Sequence, residues 1–282
     1  MTPIIDLAVI IPTLNAARTL PATIAALGPV AQIVVADGGS TDATRMLAGV
    51  GAIEAARGRG SQIAAGIAAT TRPWLLLLHA DTQLQPGWRA AAEAHMESSP
   101  NKAGYFRFAV RSDDPRARRL ERLVAWRCRV LALPYGDQAL LIHRDLLCAA
   151  GGMRPLPLME DVDLVRRLGR RRLVGLNAVA LTSADKWHRS GWYRRSARNL
   201  LCLALWFSGV PPRWIVRLYG RKTPSSCSPE HRVLGRSNGG WRGISGPERR
   251  CGFTRRRCSG CCGRCAPTGR FAQFWRLPRI AA

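Results

Sequence analysis

The chain has 282 residues, 47% of them hydrophobic, which is enough for one large domain or a domain of ordinary size with an appendage and excludes a wholly disordered chain. Its formal charge of +25 is spread unevenly, with 31 basic and 16 acidic residues up to Lys222 but 12 basic and 2 acidic over the 60 residues from Thr223. The two parts follow different compositional rules.

Taken in order, residues 7–12 (LAVIIP) form an unbroken apolar run, as expected of a strand buried on both faces of a parallel sheet. A helix follows over ARTLPATIAALG, with Thr19 as N-cap, Pro21 early and Gly28 as the stop. QIVVADGGS reads as a second buried strand, and TDATRMLAG as a helix capped by Ser40 or Thr41. A short strand (AIEAA) and a small-residue helix (SQIAAGIAA) able to pack closely on the sheet make a third unit. PWLLLLHAD and PGWRAAAEAHM make a fourth. Strands alternating with helices predict a doubly wound α/β sheet. Beyond residue 100 the alternation loosens into a strand (YFRFAV), a long basic helix (PRARRLERLVAWRCRVLAL), a strand (ALLIH), a helix (EDVDLVRRLGRRR), one or two strands (LVGLNAVALT) and helices near Arg198–Phe207 and Pro211–Tyr219.

Ligands of an open parallel sheet bind outside the carboxyl ends of its strands. Those positions hold Pro12, Thr13 and Asn15, then Asp37 and Gly38, then His79 and Asp81. A dinucleotide fold is excluded, because IIPTLN after the first strand lacks the glycines that admit a pyrophosphate. No P-loop is present either.

IIPTLN, VVADGGSTDAT, LLLLHADT, PYGDQALLIHRDLL and GGMRPLPLMEDVDLVRRL, in this order and spacing, resemble family 2 glycosyltransferases of the GT-A fold over roughly residues 7 to 220. The His79-Ala80-Asp81 and Gly136-Asp137-Gln138 variants resemble a bacterial subgroup associated with arsenosugar biosynthesis. The resemblance implies a GT-A-type doubly wound mixed sheet in a single catalytic domain. It also implies inverting transfer of a sugar from a nucleotide-diphosphate donor, such as a UDP-sugar, to an acceptor hydroxyl, with Mn²⁺ or Mg²⁺ as cofactor. The acceptor, a small molecule or a lipid, is left open.

Residue by residue, the resemblance implies that Asp37 accepts from the uracil ring, with Pro12, Thr13, Asn15 and Gly38 completing the nucleotide pocket. Asp81 stands where the family's Asp-x-Asp motif has its metal-binding carboxylate, and His79 replaces the first Asp, an exchange that suits Mn²⁺ better than Mg²⁺. Asp161 matches the catalytic Asp, with Glu160 second, although acidic residues are expected in any first helical turn. Asp137 and Gln138 stand where sugar or acceptor hydroxyls would bind. Arg57, Arg59, Lys186, His188 and Arg189 are candidate cations for the leaving diphosphate.

From Thr223 onward only eight residues are Leu, Ile, Val or Phe, too few for a core, so a domain over 1–222 and a disordered Arg/Gly/Cys-rich tail over 223–282 are expected. The tail's Cys258-x-x-Cys261 and Cys262-x-x-Cys265 abut without the loop of a zinc site, and a shifted reading frame in GC-rich DNA would also produce this composition. With Asp6 and no basic residue ahead of the first apolar run, and only scattered cysteines before Lys222, a cytoplasmic setting is expected, with peripheral contact to an anionic membrane as a further expectation. Two rivals remain. A sugar-phosphate nucleotidyltransferase would want a glycine-rich basic loop after the first strand, and a basic nucleic-acid binder would not gather carboxylates at its strand ends.

Overall fold

A computed structural model of the chain describes residues 4–219, so the expected tail and its cysteine pairs lie outside the described residues. The strands β1 (Ile4–Thr13), β2 (Val30–Asp37), β3 (Ala52–Glu54), β4 (Trp74–Leu77), β5 (Thr82–Leu84), β6 (Ala103–Arg111), β7 (Leu140–His143) and β8 (Leu173–Ser183) form one mixed sheet in the order β3-β2-β1-β4-β7-β6-β8-β5. The first four strands are parallel. β7 then enters antiparallel to both β4 and β6, β8 runs parallel to β6, and β5 closes the edge antiparallel to β8.

Ten α-helices surround the sheet among the described residues: α1 (Leu20–Leu27), α2 (Thr44–Ala48), α3 (Arg59–Ala68), α4 (Trp88–Ser98), α5 (Pro115–Leu131), α6 (Arg144–Ala149), α7 (Glu160–Leu168), α8 (Asp185–Ser190), α9 (Trp192–Phe207) and α10 (Pro212–Tyr219). None is long and apolar enough to cross a membrane.

The strand period of two explains why β1 carries no polar face in its second half. Leu7, Val9 and Ile11 join one apolar cluster with Leu20 and Leu27 of α1 and Trp88 of α4. Ala8 and Ile10 join another on the opposite face, with Ile63 of α3, Leu147 of α6 and Leu164 of α7. Helices therefore cover both faces, and each fully buried Leu or Ile contributes about 1.5–3 kcal/mol. A third cluster packs Phe108 and Val110 of β6 against Val124 of α5, Trp187 of α8 and Trp192 of α9.

Close packing of α3 rests on Gly66, where a Cβ would come within 2.5 Å of Ile10 Cγ2. The expected small-residue helix is thus pressed onto the central strand. At the start of α5, Asp114 accepts from the Arg116 N–H at 2.8 Å and Pro115 takes the first position, where no donor is needed.

Several local expectations change. Ser40 and Thr41 do not cap α2. Asp42 supplies that oxygen instead, accepting from the Thr44 N–H at 3.0 Å, because the Ser40 hydroxyl is turned toward Asp37. Thr19 has no side-chain capping bond and donates to Ala16 O. The charged run after Glu160 stops at Leu168, where Gly169 takes φ 74° and leaves Arg170–Arg172 as a 3-10 turn. LVGLNAVALT is one strand with an irregularity opposite Tyr105 and Arg107. The last long helix begins at Trp192, ahead of the expected Arg198.

Candidate active site

Parallel pairing sets Thr13 directly beside Asp37 at the carboxyl ends of β1 and β2. Thr13 Oγ1 donates to Asp37 Oδ1 at 3.0 Å, and the Ser40 hydroxyl donates to the same oxygen. The backbone N–H groups of Gly39 and Ser40 donate to Oδ2 at 3.2 and 2.9 Å. A carboxylate offers about four acceptor positions, and these bonds use them. Burial works against ionisation of Asp37, but the bonds from Ser40, Thr13 and Gly39 hold its carboxyl below the ordinary range.

Asp37 is 0% exposed. Its carboxylate thereby ties Thr13 to the Gly39–Ser40 turn. Gly38, expected in the pocket, leaves room for Gln62, whose amide would lie 3.1 Å from a Cβ there. Gln62 Nε2 in turn donates to Thr13 O at 2.6 Å and Ala36 O at 2.8 Å, locking the two strand ends together. Asn15 adopts φ 52° and accepts from the Thr41 N–H at 2.9 Å. Local side-chain bonding makes that left-handed conformation accessible to Asn.

Pro12, Thr13 and Asn15 line one end of a cleft of about 400 Å³, and Arg57, Arg59, His79, Asp81, Lys186 and Arg189 line the rest. Across its mouth Arg18 pairs with Asp185. One ligating atom from each of His79, Asp81 and Asp137 lies within 4.8 Å of the others. His79 Nδ1 is 2.9 Å from Asp137 Oδ1, and Lys186 Nζ is 2.5 Å from Asp81 Oδ2. Burial opposes the charge on Asp137, yet His79, Lys186 and Arg59 hold its carboxyl far below the usual range. Burial likewise opposes the Lys186 ammonium, and Asp81 and Asp137 more than offset it, raising its pKa.

α7 delivers the other two carboxylates. Its entry turns on Met159 at φ 64°, a strained conformation for a residue with a side chain. Asp161 Oδ1 accepts from the Val162 N–H at 2.8 Å, while Oδ2 faces Gly136, where a Cβ would lie 3.3 Å from that oxygen and 3.8 Å from His79 Cε1. Gly136 at φ 67° therefore suits both the turn and the close approach. Glu160 is 1% exposed, and Arg59 Nε stands 2.8 Å from its Oε1 without the alignment of a hydrogen bond. Burial, reinforced by the Asp161 charge, pushes the Glu160 carboxyl up.

Residues 8–157 match the family model described as Glycosyl transferase family 2. The chain belongs to glycosyl transferase family 2. Among solved structures, glucosyl-3-phosphoglycerate synthase from Mycobacterium tuberculosis, in complex with Mn²⁺, UDP-glucose and phosphoglyceric acid, is 21% identical over 63% of this chain and 69% of its own, at TM-score 0.44. S. aureus TarS 1–349 is 13% identical over 62% of this chain and 57% of its own, at TM-score 0.46. The comparison with curated proteins gives no match.

Gln138 and His188 line neither the cleft of this glycosyltransferase nor the grooves beside it that Asp137, Glu160 and Asp161 line. Gln138 is 3% exposed and serves the core, accepting from Arg127 Nη2 and donating to Phe106 O, both at 3.1 Å. His188 is exposed and packs edge-on against Trp192 at 5.7 Å, while Lys186 and Arg189 of the same helix line the cleft. Conversely, Gln62 and Ser40 had no place among the expected site residues. A lone glutamine within the small-residue run SQIAAG was the available signal for the first, since an apolar helix seldom places an amide against a sheet without a bond to make.

Proposed function

We propose that the enzyme transfers a glycosyl group from a UDP-sugar to an acceptor hydroxyl with inversion, assisted by a divalent metal. The observation that carries this reading is the convergence of His79, Asp81 and Asp137 within 4.8 Å, with His79 and Asp81 lining the same cleft as Pro12, Thr13 and Asn15 and with Asp161 and His79 both beside Gly136. One imidazole and two carboxylates form a donor set that fits Mn²⁺ and, less closely, Mg²⁺. Bound there, the metal would neutralise the donor's diphosphate.

The chain's own groups supply the remaining chemistry. Pro12, Thr13 and Asn15 receive the base, with Asp37 tying Thr13 to the Gly39–Ser40 turn. Arg57, Lys186 and Arg189 provide further positive charge along the cleft for the departing diphosphate, a requirement wherever negative charge grows on a leaving group. Asp161, tethered through Oδ1, presents Oδ2 to the acceptor as general base. The acceptor oxygen forms the new bond to the anomeric carbon and gives its proton to Asp161, while the bond to UDP breaks and its electron pair leaves with UDP. Buried Glu160 beside Arg59 positions Asp161. The His79-Ala80-Asp81 and Gly136-Asp137-Gln138 variants support the arsenosugar-associated subgroup as the narrower reading.

Turnover of a panel of UDP-sugars with Mn²⁺ tests the assignment. Asp161→Asn should keep UDP affinity but lose about 10²–10⁴ in transfer rate. Equal turnover in mutant and wild type would remove Asp161 from the mechanism.

A further inference from the structure

A second groove of about 220 Å³ begins where the donor cleft ends, sharing Arg59 and Lys186 with it and reaching Asp137 and Asp161. Its character is different. Leu123, Trp126 and Leu131 of α5 form one wall, and Leu200 and Leu203 of α9 the other. Trp126 and Leu200 are 53% and 55% exposed and bring apolar surface to the groove.

The groove's lining also holds buried polar groups. Trp187 is 4% exposed, and its indole Nε1 has no hydrogen-bond partner among the described residues. The same holds for Arg195 Nε and Asn199 Oδ1, both on α9. All three residues line the groove, and the Arg195 guanidinium lies over the Trp187 ring at 5.0 Å. Buried donors without partners are costly, about 1–3 kcal/mol each, so two of them beside an apolar trough point to a ligand that brings oxygen atoms.

Resting on the glycosyltransferase reading above, we propose that this groove is the acceptor site and that the acceptor is amphipathic. Its apolar chain lies between α5 and α9, an oxyanion meets Arg195 and the Trp187 N–H, and its hydroxyl reaches Asp161. The donor cleft is lined by polar and cationic groups, so the two substrates are sorted by polarity on either side of the His79, Asp137 and Asp161 cluster. The positive charge of Arg127, which stacks on Tyr135 at 3.7 Å, and of Arg195 complements an anionic acceptor and disfavours a cationic one.

Calorimetry on the full chain with octyl phosphate, 1-octanol and inorganic phosphate tests this, with UDP and Mn²⁺ titrated into the same preparations. Octyl phosphate should bind at least about tenfold more tightly than either octanol or phosphate, because only it combines the chain with the charge. Arg195→Gln should cut its affinity about tenfold, toward that of octanol. Leu200→Asp should cut it toward that of phosphate, and Leu123→Ser, on the facing wall, gives an independent reading of the chain contact. Octyl phosphate binding no better than phosphate, or binding unchanged in these variants while UDP still binds, would overturn the acceptor assignment alone. Failure of the wild type to bind UDP would overturn the glycosyltransferase reading and the acceptor role with it.

Discussion

Four donors converge on Asp37, and together they outweigh the burial that works against its charge. Replacing it by Asn puts an amide NH₂ where backbone N–H groups of Gly39 or Ser40 already point, so Asp37→Asn should cost about 1–3 kcal/mol in urea denaturation at pH 7. The pH dependence has a definite sign. A carboxyl whose folded pKa lies below its unfolded value contributes stability that is complete above the unfolded value, near 3.8, and fades as pH falls through the folded one. Between pH 7 and pH 3 the wild type should therefore lose more stability than Asp37→Asn; equal losses would show that Asp37 is not the linked group. At this scale the sequence was informative about strand ends, since Pro12, Thr13, Asn15, His79 and Asp81 all follow apolar runs and all line the cleft. It was less so for Gln138, where a residue's type and place in a motif do not disclose whether its polar atoms face a ligand or neighbouring backbone.

Elements were legible in proportion to how locally they are determined. β1, β2 and β4 announce themselves through apolar runs buried on two faces. β5, with three residues, and α6 and α8, with six each, are too short for a periodic signal. The insertion of β7 between β4 and β6 is settled by pairing partners far apart in the chain, which no local pattern encodes. Where α3 meets β1 the packing is tight enough to test directly. Gly66→Ala forces a methyl to within 2.5 Å of Ile10 Cγ2, on a branched side chain that is itself 0% exposed. Overpacking of this kind costs about 1–3 kcal/mol, so the melting temperature should fall by several degrees while UDP binding persists at lower temperature. An unchanged melting temperature would mean that α3 can slide outward.

For the whole molecule, the apolar clusters of the described residues close within Ile4 to Val216. On the proposal that residues 223–282 stand apart from the catalytic domain, a chain ending at Lys222 should melt with the full-length protein, with and without chelator. A chelator-sensitive difference confined to the full-length chain would instead assign its Cys258, Cys261, Cys262 and Cys265 to a structural metal. Net charge, +25 over the whole chain, says little about the reaction by comparison with the small cluster of His79, Asp81 and Asp137. That cluster is the centre of the account, and the most direct measurement of it is calorimetric titration of UDP into wild type and Asp81→Ala, each with Mn²⁺ and with EDTA. UDP should bind the wild type with Mn²⁺ and lose at least about tenfold in affinity with EDTA or in the mutant, since removing a charge-assisted contact typically costs about 1.5–3 kcal/mol. UDP affinity indifferent to Mn²⁺ and to Asp81→Ala would contradict it.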